Sequence, residues 1–77
     1  MTIEGFVKNF SDQLDETDVS IITPETKFKE LEEWSSLTAL TMIAMVDSEY
    51  NLKLSADDIK AAVTIKDIYH RLEAKNK

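Results

Sequence analysis

Two adjacent serines mark the place in this chain where side-chain chemistry is easiest to envisage. Ser35 and Ser36 follow the acidic and aromatic pair Glu33-Trp34 and precede an apolar run that begins at Leu37. A serine hydroxyl can cap a helix, act as a nucleophile or carry a covalent group. No serine here has a His/Asp partnership that would activate it, so a helix cap is the first interpretation of the pair.

Other kinds of reactive site find little support in the sequence. The chain has one glycine, no cysteine and one histidine, His70, so neither a glycine-rich phosphate loop nor a thiolate metal site is possible. The acidic segment from Asp12 to Asp18 resembles a calcium loop but lacks the required glycine and the terminal glutamate. We therefore predict no catalytic residue, no metal site and no enzymatic activity.

Length and charge narrow the classes of partner. The chain has 77 residues and a net charge of −6, which predicts one domain, residues 1–77, with a modest core. Acidic residues concentrate between Asp12 and Glu33, a pattern that disfavours nucleic acid and anionic membranes and favours basic protein surfaces. No secretory signal and no apolar run of about 20 residues is present. We expect a monomeric, cytoplasmic protein without a membrane span.

The apolar periodicity predicts the elements that position the serines. Helix one is predicted over about residues 3–15 by an apolar stripe at helical spacing: Ile3, Phe6, Val7, Phe10 and Leu14. A long connection over residues 16–35 follows, with Pro24 inside it. Ser55 with Asp58, and Thr64 with Asp67, have the spacing of capping boxes and predict a short helix and a final helix. Their expected staples are Leu54 with Ile59 and Val63 with Ile68, and the expected anchors of the connection are Ile21, Ile22, Phe28 and Leu31.

The helix that follows the serines is predicted over residues 37–50 and is apolar on two faces. One face forms a core stripe: Ala39, Met42, Ile43, Val46 and Tyr50. The opposite face carries Leu37, Leu40 and Ala44, which either the long connection covers or a partner or ligand contacts. The predicted fold is all-α: a small four-helix bundle of three principal helices and one short helix, with a long loop between helices one and two.

The chain resembles the acyl carrier proteins over almost its whole length. The resemblance rests on Phe28 and Leu31, on the motif Trp34-Ser35-Ser36-Leu37, on residues 44–50, and on the two helix starts at Ser55 and Thr64. In that family the motif is typically Asp-Ser-Leu, and its serine carries a 4′-phosphopantetheine arm derived from coenzyme A. By residue matching, Ser36 is the attachment site and Ser35 stands where the family has aspartate.

The resemblance implies that the two serines have different roles. Serine and aspartate are both strong N-caps, so Ser35 is expected to cap the helix and Ser36 to keep its hydroxyl free for modification. The helix N-terminus would also favour an attached phosphate. The implied partners are a phosphopantetheinyl transferase and acyl-processing enzymes with basic docking surfaces. The implied cargo is an intermediate of fatty-acid, polyketide or related biosynthesis.

Two further sets of residues follow from the resemblance. Partner enzymes are expected to contact an apolar and acidic surface, and a bound acyl chain is expected to fold back between the helices. Glu30, Glu32 and Glu33 are expected to add attraction for basic partners. The expected partner contacts are Leu37, Leu40, Ala44, Asp47 and Glu49, and the expected acyl-chain lining is Ile43, Val46, Ile59 and Ile65, with plain core packing as the alternative for that lining.

The motif departs from the family pattern, and two alternatives stay open. Thr38 and Thr41 stand where carriers often have acids, and Ser35 replaces the aspartate. A peptidyl or aminoacyl carrier would share the fold and the serine. A helical protein-interaction module that is never modified would use both serines for the helix start alone.

Overall fold

The computed structural model describes residues 2–76, and these residues form helices joined by turns and loops, without a strand. The four α-helices are α1 (Ile3–Asp12), α2 (Ser36–Tyr50), α3 (Ala56–Ala61) and α4 (Ile65–Lys75). The connection between α1 and α2 contains two short 3₁₀ turns, Val19–Ile21 and Phe28–Glu30. The predicted all-α fold, with one short helix and a long first loop, is confirmed.

Helix α1 is shorter than the sequence predicts. Thr2 caps its start by accepting a hydrogen bond from the N–H of Gly5 at 3.1 Å. The helix ends at Asp12 rather than near residue 15. The Gln13 and Leu14 N–H groups turn back to the Phe10 and Ser11 carbonyls, and the N–H groups of residues 15–17 bind a carboxylate of the connection. Leu14 lies beyond the helix and is still buried. The predicted end of helix one is therefore wrong by about one turn, although the apolar stripe does enter the core.

Aromatic contacts fix the long connection to α1. The ring of Phe28 is fully buried, and its centroid lies 6.0 Å from that of Phe10 and 4.8 Å from that of Trp34. Ile22 is also buried, as the sequence predicts, whereas the side chain of Ile21 is 58% exposed and does not belong to the core. Edge-to-face aromatic packing of this kind holds the segment before α2 against the core.

Helix α2 packs on the core through one face only. Met42, Met45 and Val46 are buried, and the helix is capped after Tyr50 by Asn51, whose φ of 56° is left-handed. On the opposite face Leu37 is 73% and Leu40 62% exposed. The long connection therefore leaves most of that second face exposed.

The two predicted capping boxes are present at α3 and α4. In each box the cap hydroxyl accepts from the N–H of the aspartate, and that carboxylate accepts from the cap N–H. Leu54 and Ile59 are buried as the first staple requires. Val63 is 54% exposed, so it buries only part of its side chain at the predicted second staple with Ile68. The Val63 N–H donates to the Asp67 carboxylate at 2.9 Å.

Ion pairs hold α3 against α4. The buried carboxylate of Asp58 lies 3.1 Å from Arg71 Nη1 and 3.2 Å from Lys75 Nζ. Burial raises the pKa of Asp58, but hydrogen bonds from the N–H and hydroxyl of Ser55 and the charge of Lys75 outweigh it and lower the pKa from 3.8 to about 2. The short helix α3 therefore has a fixed position relative to α4.

Candidate functional site

Ser35 caps helix α2. Its backbone is extended, with φ of −154° and ψ of 176°, and its Oγ accepts a hydrogen bond from the Thr38 N–H at 3.3 Å. The first helical bond runs from the Ala39 N–H to the Ser35 carbonyl at 2.9 Å. The Thr38 hydroxyl adds a second restraint, because it donates to the Glu33 carbonyl at 2.8 Å. These bonds fix where the helix begins and leave the next residue at its first position.

Ser36 is the first residue of α2 and is exposed. Among residues 2–76 its hydroxyl has no hydrogen-bond partner. The first N–H groups of a helix have no partner within the helix, and the aligned peptide dipoles place partial positive charge there. A hydroxyl at this position is accessible to a second protein, and a negative group attached to it would be stabilised electrostatically.

The carboxylate of Glu33 binds the far end of the first loop. One oxygen, Oε1, accepts hydrogen bonds from the N–H groups of Glu16 and Thr17, each at 3.0 Å, and from the Thr17 hydroxyl at 2.8 Å. The other oxygen accepts from the Asp15 N–H at 2.6 Å. The Thr17 hydroxyl contributes most to lowering the pKa of Glu33 below its usual 4.5. Glu33 therefore joins the end of α1 to the start of α2, instead of presenting a free charge to partners.

An open cleft of about 530 Å³ lies beside Ser36, between α2 and α3. This volume is within the range of about 300–1,000 Å³ that is usual for ligand pockets. Two serines and two lysines contribute polar groups to its lining, and the remaining six residues are apolar. The lining consists of Ser35, Ser36, Lys29, Lys60, Trp34, Ala39, Leu40, Ile43, Ala56 and Ile59.

The predicted acyl-chain residues divide between this cleft and the core. Ile43 and Ile59 line the cleft. Val46 and Ile65 are fully buried and lie outside its lining. The structure therefore brings two of the four predicted residues to the cleft, while the other two contribute to the core.

Four of the five predicted partner contacts share one exposed surface of α2. Leu37, Leu40 and Ala44 are exposed apolar residues on this surface, and Asp47 is an exposed acid on it. Glu49 is also exposed, but at about 100° per residue it lies on a different side of the helix. Lys53 Nζ lies 3.4 Å from the Asp47 carboxylate, a pair exposed enough to exchange with a partner. The surface formed by Leu37, Leu40, Ala44 and Asp47 begins next to Ser36 and continues along the helix.

The sequence did not predict three contributors to the site. Glu33 holds the first loop against the start of α2, and Lys29 and Lys60 line the cleft. Lys29 Nζ donates to the Lys60 carbonyl at 2.8 Å, across 31 residues of sequence. Contacts between segments so far apart leave no periodic signal. The one available hint was that Lys29 is one of only two bases in the acidic stretch before the serines.

The part of the chain that the structure describes, residues 2–76, contains no group of three or more side chains arranged to hold a metal ion. His70 contacts the Glu73 carboxylate at 3.2 Å on the exposed side of α4. None of the described helices has both the length and the apolar character needed to cross a bilayer.

Comparison with known proteins gives one match. A family model described as "Phosphopantetheine attachment site" matches residues 5–72, which include most of α1, all of α2 and α3, and most of α4. No curated protein and no solved structure gives a significant match. The matched region includes both serines, the cleft and the exposed surface of α2.

Proposed function

Because the chain belongs to the phosphopantetheine attachment-site family of carrier proteins, we propose that Ser36 bears the covalent 4′-phosphopantetheine group. The protein is a carrier and not an enzyme, and it works with a phosphopantetheinyl transferase and with acyl-processing enzymes. The observation that supports Ser36 is its exposed hydroxyl, unbonded within residues 2–76, at the first position of a helix whose cap is supplied by Ser35.

The residues around Ser36 suit the group. The Ser35 hydroxyl already accepts from the Thr38 N–H, whereas the Ser36 hydroxyl has no such role among residues 2–76. The helix N-terminus stabilises the negative charge of a phosphodiester, and the cleft beside the serine can receive what the arm carries. When bound, the group supplies a terminal thiol on which acyl groups are held as thioesters.

The attachment itself requires only the hydroxyl from this chain. Ser36 Oγ forms a bond to the phosphorus atom that bears pantetheine in coenzyme A, and the pyrophosphate bond to the adenosine bisphosphate breaks. The leaving nucleotide keeps the electron pair, and the serine proton passes to a base of the transferase. No general base of the carrier is needed, which is consistent with the isolated position of its single histidine.

We propose an acyl cargo from fatty-acid, polyketide or related synthesis. The apolar side of the cleft supports this, because each buried methylene of a chain contributes about 0.8 kcal/mol. Ile43 and Ile59 would contact the chain, and Val46 and Ile65 would back the cleft from the core. The net charge of −6 also favours an acyl carrier over the less acidic peptidyl and aminoacyl carriers.

We further propose that partner enzymes dock on the exposed surface of α2. Leu37, Leu40 and Ala44 would supply apolar contact, and Asp47 and Glu49 would attract basic residues of the partner. Such contacts give fast, salt-sensitive association, as a carrier that visits several enzymes requires. A monomeric state and a cytoplasmic location stay predictions from the sequence.

Co-expression with a broad-specificity transferase tests the site. The intact mass of the wild-type protein is expected to rise by one phosphopantetheine. The Ser35→Ala variant is expected to keep this increment and the Ser36→Ala variant to lose it. An increment that survives in Ser36→Ala and disappears in Ser35→Ala would overturn the assignment.

A further inference from the structure

The cleft beside Ser36 has a charge opposite to that of the protein. The chain carries fifteen acidic residues and a net charge of −6, yet no aspartate or glutamate lines the cleft. Its two charged lining residues are Lys29 and Lys60. The charged side chains that line the space next to the serine are therefore both positive, although the protein as a whole is strongly acidic.

The side chain of Lys29 is held in place on one side of the cleft. Its Nζ donates to the Lys60 carbonyl at 2.8 Å and lies 5.7 Å from the centroid of the buried Phe28 ring. An ammonium group has three N–H donors, and the Lys60 carbonyl occupies one of them. The carbonyl carries no formal charge, so this bond orients the ammonium group without neutralising it.

Neither lysine is paired with an acid of the chain. Over residues 2–76, ion pairs with N···O distances up to 4.0 Å involve Lys8, Lys53, His70, Arg71 and Lys75, and neither Lys29 nor Lys60 takes part. Both side chains are exposed, so an entering group can reach them. The cleft therefore contains two available positive charges and no competing carboxylate.

We propose that Lys29 and Lys60 form an anion-binding subsite, which holds a negatively charged oxygen group of the load carried on Ser36. This inference rests on the proposed function of Ser36. Two sources share the required chemistry: the phosphodiester of the arm, and a carboxylate at the far end of an acyl cargo. Because the load is tethered to the same cleft, its effective concentration is high, and modest attraction to two lysines is enough to hold it.

The first arm of the test follows the phosphodiester by ³¹P NMR of the holo protein with a free thiol. The Lys29→Gln/Lys60→Gln double variant is compared with wild type and with Lys66→Gln. Lys66 is a matched control, because it is an exposed lysine of α4 that lies outside the cleft and belongs to none of the ion pairs within residues 2–76. Binding of the phosphodiester predicts a resonance shift in the double variant and none in the control.

The second arm follows the ammonium ¹H–¹⁵N resonances of the lysines in wild-type protein. The arm is loaded with a decanoyl chain or with its terminally carboxylated analogue. Binding of a cargo carboxylate predicts that the Lys29 and Lys60 resonances shift only with the carboxylated chain, while the Lys66 resonance stays constant. Amide spectra of the apo double variant check that its fold is unchanged.

The experiment distinguishes binding of the phosphodiester, binding of the cargo carboxylate and the absence of an anion-binding subsite. A ³¹P shift assigns the subsite to the phosphodiester, and a response to the carboxylated chain alone assigns it to the cargo. Unchanged resonances in both arms overturn the subsite while leaving Ser36 as the attachment site. Absence of any mass increment would contradict the proposed function first, and the subsite with it.

Discussion

The Glu33 carboxylate and the Thr17 hydroxyl lie 2.8 Å apart and join the two ends of the long first connection. The same carboxylate also accepts from the N–H groups of Asp15, Glu16 and Thr17. Glu33 is three residues before Ser36, and its own carbonyl accepts from the Thr38 hydroxyl. The helix start that presents Ser36 is therefore restrained by the loop that follows α1.

Replacement of Glu33 by glutamine is expected to loosen this loop. Glutamine keeps one acceptor oxygen but loses the charge and replaces the second oxygen with an NH2 donor, so the Asp15 N–H loses its acceptor and the bonds to Glu16 and Thr17 become weaker. We expect faster amide exchange at residues 15–17 and a lower melting temperature. Glu32→Gln is the control, because Glu32 is exposed and makes no hydrogen bond or ion pair within residues 2–76. Equal amide exchange rates and equal melting temperatures in the two variants would contradict the proposed role of Glu33 in holding the loop.

Removal of the Ser35 cap is expected to destabilise the apo protein without moving the attachment site. The Ser35→Ala variant loses the acceptor for the Thr38 N–H, a change that costs about 1 kcal/mol of unfolding free energy. Ser35→Asp restores a strong cap and should return the stability to that of wild type. Urea denaturation of the three proteins measures the differences. An unchanged midpoint in Ser35→Ala would show that the cap contributes nothing.

The stability of the fold is expected to fall in acid because of Asp58. Its folded-state pKa of about 2 is below the usual 3.8, so the stabilisation that it provides is complete above about pH 4. This stabilisation is lost as the pH falls from about 4 to the folded-state pKa of about 2. Glu33, whose pKa is also lowered, adds a loss of the same sign below its usual 4.5.

Asp58→Asn tests this dependence. The variant removes the charge that pairs with Arg71 and Lys75, which are themselves partly exposed, and we expect a loss of about 1–2 kcal/mol near neutral pH. The difference from wild type should shrink as the pH falls from about 4 toward 2, because the carboxylate of the unfolded protein is protonated first and that of the folded protein only near pH 2. Urea denaturation across this pH range measures it, with the exposed Asp57→Asn as the control. A difference that is constant with pH would contradict the role assigned to the Asp58 charge.

Docking on α2 predicts that Leu37 affects recognition and not folding. Leu37→Asn removes an exposed apolar contact next to Ser36, and we expect kcat/KM of the transferase to fall about tenfold, or about 1.4 kcal/mol. The stability of the apo protein should change by less than about 0.5 kcal/mol. Val63→Asn is the matched control, since Val63 is 54% exposed and lies outside the docking surface. Equal rates for both variants would argue against this surface.

The number, type and order of the helices could be predicted because the determining signals are local. The apolar stripe of Phe6 and Phe10, and the capping boxes at Ser55 and Thr64, lie within a few residues of the structure that they specify. The end of α1 could not be predicted, since residues 15–17 make hydrogen bonds with Glu33, which is sixteen or more residues away. The apolar periodicity of residues 3–15 contains no information about hydrogen bonds to so distant a carboxylate, so it cannot predict where they end the helix.

The site was predictable only in part for the same reason. The motif at Ser35 and Ser36 is contiguous, and the exposed face of α2 follows from helical spacing. The cleft is formed by α2, α3 and the turn at Lys29, so its lining depends on how distant segments pack. That packing buries Val46 and Ile65 completely and leaves Ile43 and Ile59 along the cleft.

Peptide mapping of the natural, unsubstituted protein tests the central claim most directly. After modification by the transferase, trypsin releases residues 30–53, a peptide that contains Ser35, Ser36 and Ser48. Fragmentation mass spectrometry of this peptide identifies which serine bears the phosphopantetheine. We predict that the increment lies on Ser36 alone. An increment on Ser35 or Ser48, or an unmodified peptide, would contradict the account.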